Sequence, residues 1–271
     1  MPDNSNVQKI EQLTRLMLII LAGLLVVLLA LTVTFFATKP SNKPVKNPDS
    51  TTDGQSSSDP VTDPVILTET SDAGIDYQNS IIFVGDSLTA HIRSRGVLTG
   101  GTATKQVWCP ENNMMNLNSE VTAAKIIYPG TGEKMTVAQA AGKAKPEIMI
   151  ITLGTDWGVS YLSETEFKAC YTALVKAIQK ASPKTKIILQ SIFPVTAGCT
   201  ALDNTKIDTA NKWVKAVAAE NGCYYLDTQS ILKDERNCLK ENYCNSSDGI
   251  HMGKEAYVAI LEYIRTHALT K

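Results

Sequence analysis

The stretch Ile81-Ile82-Phe83-Val84-Gly85-Asp86-Ser87-Leu88 decides the fold, because a run of large apolar residues ends there at a glycine, an aspartate and a serine. A short, continuous apolar run is typical of a strand that is covered on both faces. A parallel strand that leads into such a turn and then a helix leaves the serine at the carboxyl edge of its sheet, where open α/β folds bind ligands. We therefore predict that Ser87 begins a helix at a functional site.

A second motif, Asp248-Gly249-Ile250-His251, lies far downstream. A histidine three residues after an aspartate can hold the carboxylate at Nδ1 and leave Nε2 free to take a proton from a serine hydroxyl. Taken singly, Ser87 is compatible with a helix cap and Asp248 with a simple turn. Taken together, they predict a catalytic triad of Ser87, His251 and Asp248. His91 falls one helical turn after Ser87, which leaves a place near the site open, but His91 and His267 lack this context and are predicted to be ordinary helix residues.

Short apolar runs alternate with helical patterns over residues 80–271. The predicted strands are 81–84, 104–108, 147–153, 186–191 and 223–226. The predicted helices follow Ser87 and span 137–144, 164–181, 205–221 and 254–267. This order predicts an α/β protein, a three-layer α/β/α sandwich of flavodoxin-like type with a five-stranded parallel sheet. Residues 116–136 do not fit the alternation and are expected to form a hairpin or loops.

The chain before this domain has a different composition. After a short tail, residues 1–16, the segment 17–37 carries 21 residues without a charge, enough to cross a bilayer as a helix. A cleaved signal peptide is the competing interpretation, but it has a shorter apolar region and a small-residue cleavage site, whereas this segment ends in Phe35-Phe36-Ala37. Residues 38–79, rich in Pro, Ser, Thr and Asp, are predicted to be a disordered linker. We therefore expect a single-pass protein of the cell membrane, anchored through 17–37, with an extracytoplasmic domain at 80–271.

Charge and cysteine content narrow the possible partners. The formal net charge is -1, and the domain has no basic cluster of the kind that binds nucleic acid. All six cysteines lie in the domain, and an even number suits an oxidising exterior. Cys238 and Cys244 are the predicted disulfide pair, with buried free thiols as the alternative. The spacings predict no metal site, and no cofactor is expected.

The two motifs resemble the first and last sequence blocks of the SGNH (GDSL-type) hydrolase superfamily, over roughly residues 80–268. Between them, Leu153-Gly154-Thr155-Asp156 lies where that family has Gly-x-Asn. The resemblance implies a serine esterase that works through an acyl-enzyme, with the backbone N–H of Ser87 in the oxyanion hole. It also implies the flavodoxin-like sandwich predicted above.

The chain departs from this family at the oxyanion hole. Asp156 stands in the place of the family's asparagine, and the second-strand loop, Trp108-Cys109-Pro110-Glu111-Asn112-Asn113, has no glycine. We predict an oxyanion hole of Ser87, Glu111, Asn112 and Asp156. Three alternatives follow: Asp156 is protonated and donates, Asn112 or Asn113 supplies the amide, or catalysis is weak and the domain binds the cell wall.

The predicted location favours acetyl or other short acyl esters on cell-envelope glycans as substrates. Gly154 and Trp157 are candidate substrate-binding residues, and Trp157 and Tyr161 would stack on sugar rings unless they serve ordinary packing. A lipid esterase and a glycan O-acyltransferase using the same triad are the alternative enzymes.

Overall fold

The computed structural model describes residues 65–269, and a parallel sheet forms their centre. The strands are β1 (Ile81–Gly85), β2 (Val107–Trp108), β3 (Lys125–Tyr128), β4 (Glu133–Thr136), β5 (Ile148–Thr152), β6 (Lys186–Gln190) and β7 (Tyr224–Leu226). Five of them pair in the order β2-β1-β5-β6-β7, and every pairing in this sheet is parallel. The predicted α/β class and five-stranded parallel sheet are confirmed. Strand β2 begins at Val107, later than predicted, because the chain bends at Lys105 and Gln106 after a 3₁₀ turn at Gly101–Ala103.

The helices of the described region connect these strands. They are α1 (Gly74–Asn79), α2 (Ser87–Ser94), α3 (Val137–Ala144), α4 (Gly158–Tyr161), α5 (Glu164–Ala181), α6 (Asn204–Glu220), α7 (Gln229–Leu232) and α8 (Lys254–Thr266). Helix α5 begins at a capping box in which Ser163 and Glu166 bond each other's backbone N–H groups. The polar first turn and the apolar stripe behind it explain why this helix was predictable.

Two apolar layers hold the helices on the sheet. The layer that faces α3, α5 and α6 includes buried Ile151, Leu174 and Val214. The opposite layer, which faces α2 and α8, includes Leu88 and Ile260. Each fully buried side chain of this size contributes about 1.5–3 kcal/mol of transfer free energy. The sheet is therefore fixed from both faces, and its carboxyl edge is a rigid support for the loops that follow the strands.

The region that did not fit the alternation forms a hairpin. Strands β3 and β4 pair antiparallel, and Ile126 lies opposite Met135 in the ladder. Both side chains are buried in the layer next to α3. The hairpin therefore packs on the sandwich as an addition to the main sheet, as one of the two expected alternatives.

The folded region begins earlier than the predicted boundary at residue 80. The backbone N–H of Tyr225 donates to the carbonyl oxygen of Val65 at 2.8 Å, and the N–H of Leu67 donates to the carbonyl oxygen of Tyr225 at 2.9 Å. Ile66 and Tyr77 pack against the two apolar layers. Residues 65–79, the end of the predicted linker, are thus part of the fold, because residues 65–67 pair with the edge strand β7 and partly buried apolar side chains of this segment pack on the two layers.

The tail 1–16, the predicted span 17–37 and most of the predicted linker lie outside the described residues. From 65 to 269, no helix combines the length and apolar character needed to cross a membrane.

All six cysteines are free thiols in the structure, so the predicted bridge between Cys238 and Cys244 is not formed. The Sγ of Cys238 lies 3.5 Å from the carbonyl oxygen of Arg236, and that of Cys244 lies 3.2 Å from that of Ser246. The two belong to different local structures. The backbone of Cys244 pairs with that of Met252 in an isolated antiparallel β-bridge, whereas the backbone N–H of Cys238 donates to the Asp234 carboxylate.

Candidate active site

Ser87 is placed by the junction between β1 and α2. Asp86 caps the helix, because its Oδ1 accepts the N–H of Leu88 at 3.1 Å. Gly85 allows β1 and β5 to lie close at this point, since a Cβ atom there would lie 2.3 Å from the carbonyl oxygen of Thr152. The strand, the glycine and the cap together leave the half-buried Ser87 as the first helical residue at the carboxyl edge of the sheet, as predicted.

The structure brings the three predicted triad residues together. The Oγ of Ser87 lies 3.0 Å from Nε2 of His251, and Nδ1 of His251 lies 2.6 Å from Oδ2 of Asp248. The other carboxylate oxygen of Asp248 accepts the backbone N–H groups of Ile250 and His251 at 2.7 and 3.0 Å. The same carboxylate therefore closes the turn and orients the imidazole.

The electrostatics of Asp248 suit that position. Desolvation raises its pKa, but hydrogen bonds from the His251 ring and from the backbone N–H groups of Ile250 and His251 outweigh it, and the pKa lies well below its usual value. Asp248 is therefore ionised at neutral pH. A carboxylate in this position favours the tautomer of His251 with its proton on Nδ1, which leaves the Nε2 lone pair facing Ser87.

The loop that carries His251 is anchored on the polypeptide that follows β6. The N–H of Thr196 donates to the carbonyl oxygen of Gly249 at 2.9 Å. Within the loop, the N–H of Asn245 donates to the backbone carbonyl oxygen of His251 at 3.0 Å. Gly249 has a φ of 74°, and a Cβ atom there would lie 2.4 Å from Oγ1 of Thr196. Glycine in the Asp-Gly-Ile-His motif is thus required by the backbone conformation and by this close contact.

Asp156 follows β5 and is half-buried at the same edge. Its Oδ2 is buried, and no described residue forms a hydrogen bond with it. Burial raises the pKa of Asp156, against the attraction of nearby His251. Asp86 has a similar buried Oδ2, and burial together with the charge of Asp156 raises the pKa of Asp86 to about 8. The carboxyl groups of Asp86 and Asp156 therefore resist ionisation.

The side chains of Glu111 and Asn112 are exposed and engaged locally. Glu111 forms an ion pair with Lys134 at 2.6 Å, and Oδ1 of Asn112 accepts the N–H of Met114 at 3.0 Å. Their loop begins beside the serine, where the thiol of Cys109 lies 3.7 Å from the carbonyl oxygen of Asp86. The ionised Glu111 side chain is not a donor, so its predicted contribution to an oxyanion hole is its backbone N–H, whereas the Asn112 contact uses only the amide oxygen.

The predicted substrate residues lie next to Asp156. Gly154 has a φ of 127°, and a Cβ atom there would lie 2.7 Å from Cδ1 of Ile192, so a steric requirement explains this glycine. Trp157 and Tyr161 are 39% and 66% exposed, and their rings stack with centroids 4.5 Å apart. Their exposure argues against the alternative that the two aromatic residues serve core packing.

His91 is the residue that sequence reasoning underrated. Its ring centroid lies 4.9 Å from that of His251, and its Nδ1 is buried. The available signal was its spacing of one helical turn from Ser87. His267 instead stacks on Tyr263 in the last turn of α8, with ring centroids 3.7 Å apart.

A serine, a histidine and an aspartate in hydrogen-bonded series at the carboxyl edge of an α/β sheet form the arrangement that serine hydrolases use. The chain belongs to the GDSL-like lipase/acylhydrolase family, whose model matches residues 83–259. A search of curated proteins finds no match.

Solved structures to which this chain is similar include three from different organisms. A protein assigned to the G-D-S-L lipolytic family from Desulfitobacterium hafniense DCB-2 is 21% identical, with 68% of this chain and 97% of that chain covered and a TM-score of 0.46. A GDSL-like lipase from Bacteroides thetaiotaomicron VPI-5482 is 17% identical, with 71% of this chain and 89% of that chain covered and a TM-score of 0.46. A carbohydrate esterase of family 3 from Talaromyces cellulolyticus is 16% identical, with 68% of this chain and 93% of that chain covered and a TM-score of 0.42.

Proposed function

We propose that the protein is a serine esterase that removes acetyl or other short acyl groups from ester substrates through an acyl-enzyme. The observation that carries this proposal is the hydrogen-bonded series from Ser87 through His251 to Asp248, with distances of 3.0 and 2.6 Å. Both distances lie in the range that a nucleophile, its base and an orienting acid require.

The reaction follows from these contacts. His251 takes the Ser87 proton at Nε2 while Oγ attacks the ester carbonyl, and the carbonyl oxygen becomes an oxyanion. When the intermediate collapses, the C–O bond of the ester breaks and His251 returns the proton to the leaving alcohol. Water then attacks the acyl-enzyme by the same steps and releases the acid. Asp248 stays ionised throughout and stabilises the imidazolium.

The oxyanion is stabilised in part by the backbone N–H of Ser87, which lies at the first position of α2 and benefits from the helix dipole. We assign the second donor to Asp156 in its protonated form. Burial of this carboxyl group and its unpartnered Oδ2 both favour the neutral acid. A neutral carboxylic acid donates one hydrogen bond, as the asparagine of the family would. The backbone N–H groups of Glu111 and Asn112 complete this proposed hole.

The substrates we favour are acylated glycans of the cell envelope. The exposed, stacked rings of Trp157 and Tyr161 lie shortly after Asp156 in the chain and offer aromatic surface of the kind that stacks on sugar rings. The 21 uncharged residues at 17–37 support an anchor in the cell membrane, with the domain on its outer side. An esterase held there would meet envelope glycans.

The direct test is an assay of the purified full-length chain on activated acetyl esters and on acetylated envelope glycans, beside Ser87→Ala. We expect release of acetate by the wild type and loss of that release in Ser87→Ala. Equal inactivity of both proteins on several acyl esters would overturn the esterase and favour a wall-binding module. Transfer of acetyl to an added glycan acceptor in place of acetate release would identify an O-acyltransferase instead.

A further inference from the structure

Helix α2 contacts the loop that carries His251 through three residues that are one helical turn apart, Ser87, His91 and Arg95. Beside the hydrogen bond of Ser87, the rings of His91 and His251 lie with centroids 4.9 Å apart and planes tilted by 46°. The Nε of Arg95 donates to the carbonyl oxygen of Met252 at 3.2 Å. The spacing of four residues places all three on one face of the helix. This face is thus the surface on which the loop is seated.

We infer that His91 is a positioning residue, whose ring packs against the imidazole of His251 and holds it in line with Ser87. The inference rests on the proposed function, in which His251 is the base and Ser87 the nucleophile. The hydrogen bonds of His251 to Ser87 and Asp248 act in the plane of the imidazole. The ring of His91 adds a packing contact, with its plane tilted by 46° to the imidazole and at a separation typical of aromatic pairs, which restricts reorientation of the His251 ring.

The other properties of His91 fit a role through packing. Its Nδ1 is buried, and no residue between 65 and 269 forms a hydrogen bond with it. Burial lowers the pKa of His91, the positive charges of His251 and Arg95 lower it further, and Asp248 opposes them. His91 is therefore uncharged at neutral pH and does not repel the imidazolium that forms when His251 takes a proton.

The kinetic test compares His91→Ala, which removes the ring, with His91→Phe, which keeps a ring without nitrogen. Ser94→Ala is the matched control, because Ser94 is exposed on the same turn. In the full-length protein, we expect His91→Ala to lower kcat by about 10- to 100-fold with little change in KM, since misplacement of a reacting group costs rates of this order. His91→Phe should stay within about threefold of the wild type. A wild-type kcat in His91→Ala, or an equal loss in His91→Phe, would overturn the inference.

A measurement without turnover separates this inference from the proposed function. The proton that His251 shares with Asp248 is expected to give a low-field NMR signal in the wild type, His91→Phe and Ser94→Ala, and to broaden or vanish in His91→Ala. Thermal unfolding verifies that each variant is folded. If the wild type is inactive but the signal is lost only in His91→Ala, the esterase proposal fails and the positioning role stands. If the signal is unchanged in His91→Ala, the positioning role fails whatever the activity.

Discussion

The hydroxyl of Ser87 lies 3.0 Å from Nε2 of His251, although the two residues are 164 positions apart in the chain. Helix α2, which begins at Ser87, is bonded to α8, which follows the His251 loop: the buried hydroxyl of Tyr257 in α8 donates to the carbonyl oxygen of Leu88 in α2 at 2.8 Å. The helix of the nucleophile therefore packs on the helix that begins three residues after its base. Tight packing of this kind limits their relative motion, as catalysis at a single hydrogen bond requires.

Asp248→Asn should keep the turn but lose the orientation of His251. The amide oxygen can still accept the backbone N–H groups that Asp248 Oδ1 binds, whereas an amide NH₂ facing Nδ1 favours the wrong tautomer. We expect kcat to fall on the order of 10³- to 10⁴-fold with an unchanged melting temperature. Asp203→Asn, at the exposed cap of α6, is the matched control. A loss of less than tenfold would mean that Asp248 is not the orienting acid.

Asp156→Asn tests the proposed neutral acid in the oxyanion hole. If protonated Asp156 donates to the oxyanion, the wild-type rate should fall as pH rises through the raised pKa of this carboxyl group. An amide donates at every pH, so the variant should keep at least the wild-type kcat/KM and lose that fall at higher pH. The measurement is kcat/KM of both proteins against pH. An inactive variant, or one with the same high-pH fall, would exclude Asp156 as the donor.

Asp86→Asn should change the dependence of stability on pH. The carboxyl group titrates near 3.8 in the unfolded chain and at about 8 in the fold, so between these values only the folded state keeps the proton. Stability is therefore lost as pH rises through this window, by up to about 1.4 kcal/mol per pH unit. Asparagine caps a helix as well as aspartate and does not titrate.

The free energy of unfolding in urea, measured at several pH values across this window, checks this prediction. The difference between Asp86→Asn and the wild type should grow in favour of the variant as pH rises. A difference that is constant with pH would show that Asp86 is already ionised in the folded protein.

Trp157→Ala should separate glycan substrates from small esters. The exposed ring can contact a sugar but lies outside the triad, so KM for an acetylated glycan should rise about 3- to 10-fold, in keeping with the loss of one stacking contact. The KM for an aryl acetate should change little, and Trp157→Phe should recover most of the glycan binding. Equal effects on both substrates would argue against a glycan platform.

Local patterns were sufficient to predict the sheet and the placement of Ser87. The apolar run before Gly85 and the capping box at Ser163 are signals that neighbouring residues supply by themselves. The Asp248 turn is also local, because its carboxylate bonds residues only two and three positions ahead. The predicted approach of His251 to Ser87 needed, in addition, the rule that ligands bind at the carboxyl edge of such sheets.

Features that depend on distant contacts were not predictable in this way. Residues 65–79 have the composition of a linker, and only their pairing with β7 reveals that they belong to the fold. The free state of Cys238 and Cys244 depends on the separate turns that hold them. The contact between His91 and His251 joins a helix to a loop at the other end of the chain; the spacing of His91 from Ser87 indicates a place near the nucleophile but not a partner ring.

The most direct test of the proposed acyl-enzyme is mass spectrometry of the full-length protein, quenched in acid shortly after mixing with an activated acetyl ester. We predict that one acetyl group is found on the peptide that contains Ser87, and that Ser87→Ala carries none there. Rapid acetate release without acetyl on Ser87, or with equal rates in Ser87→Ala and the wild type, would contradict a serine esterase mechanism at this site.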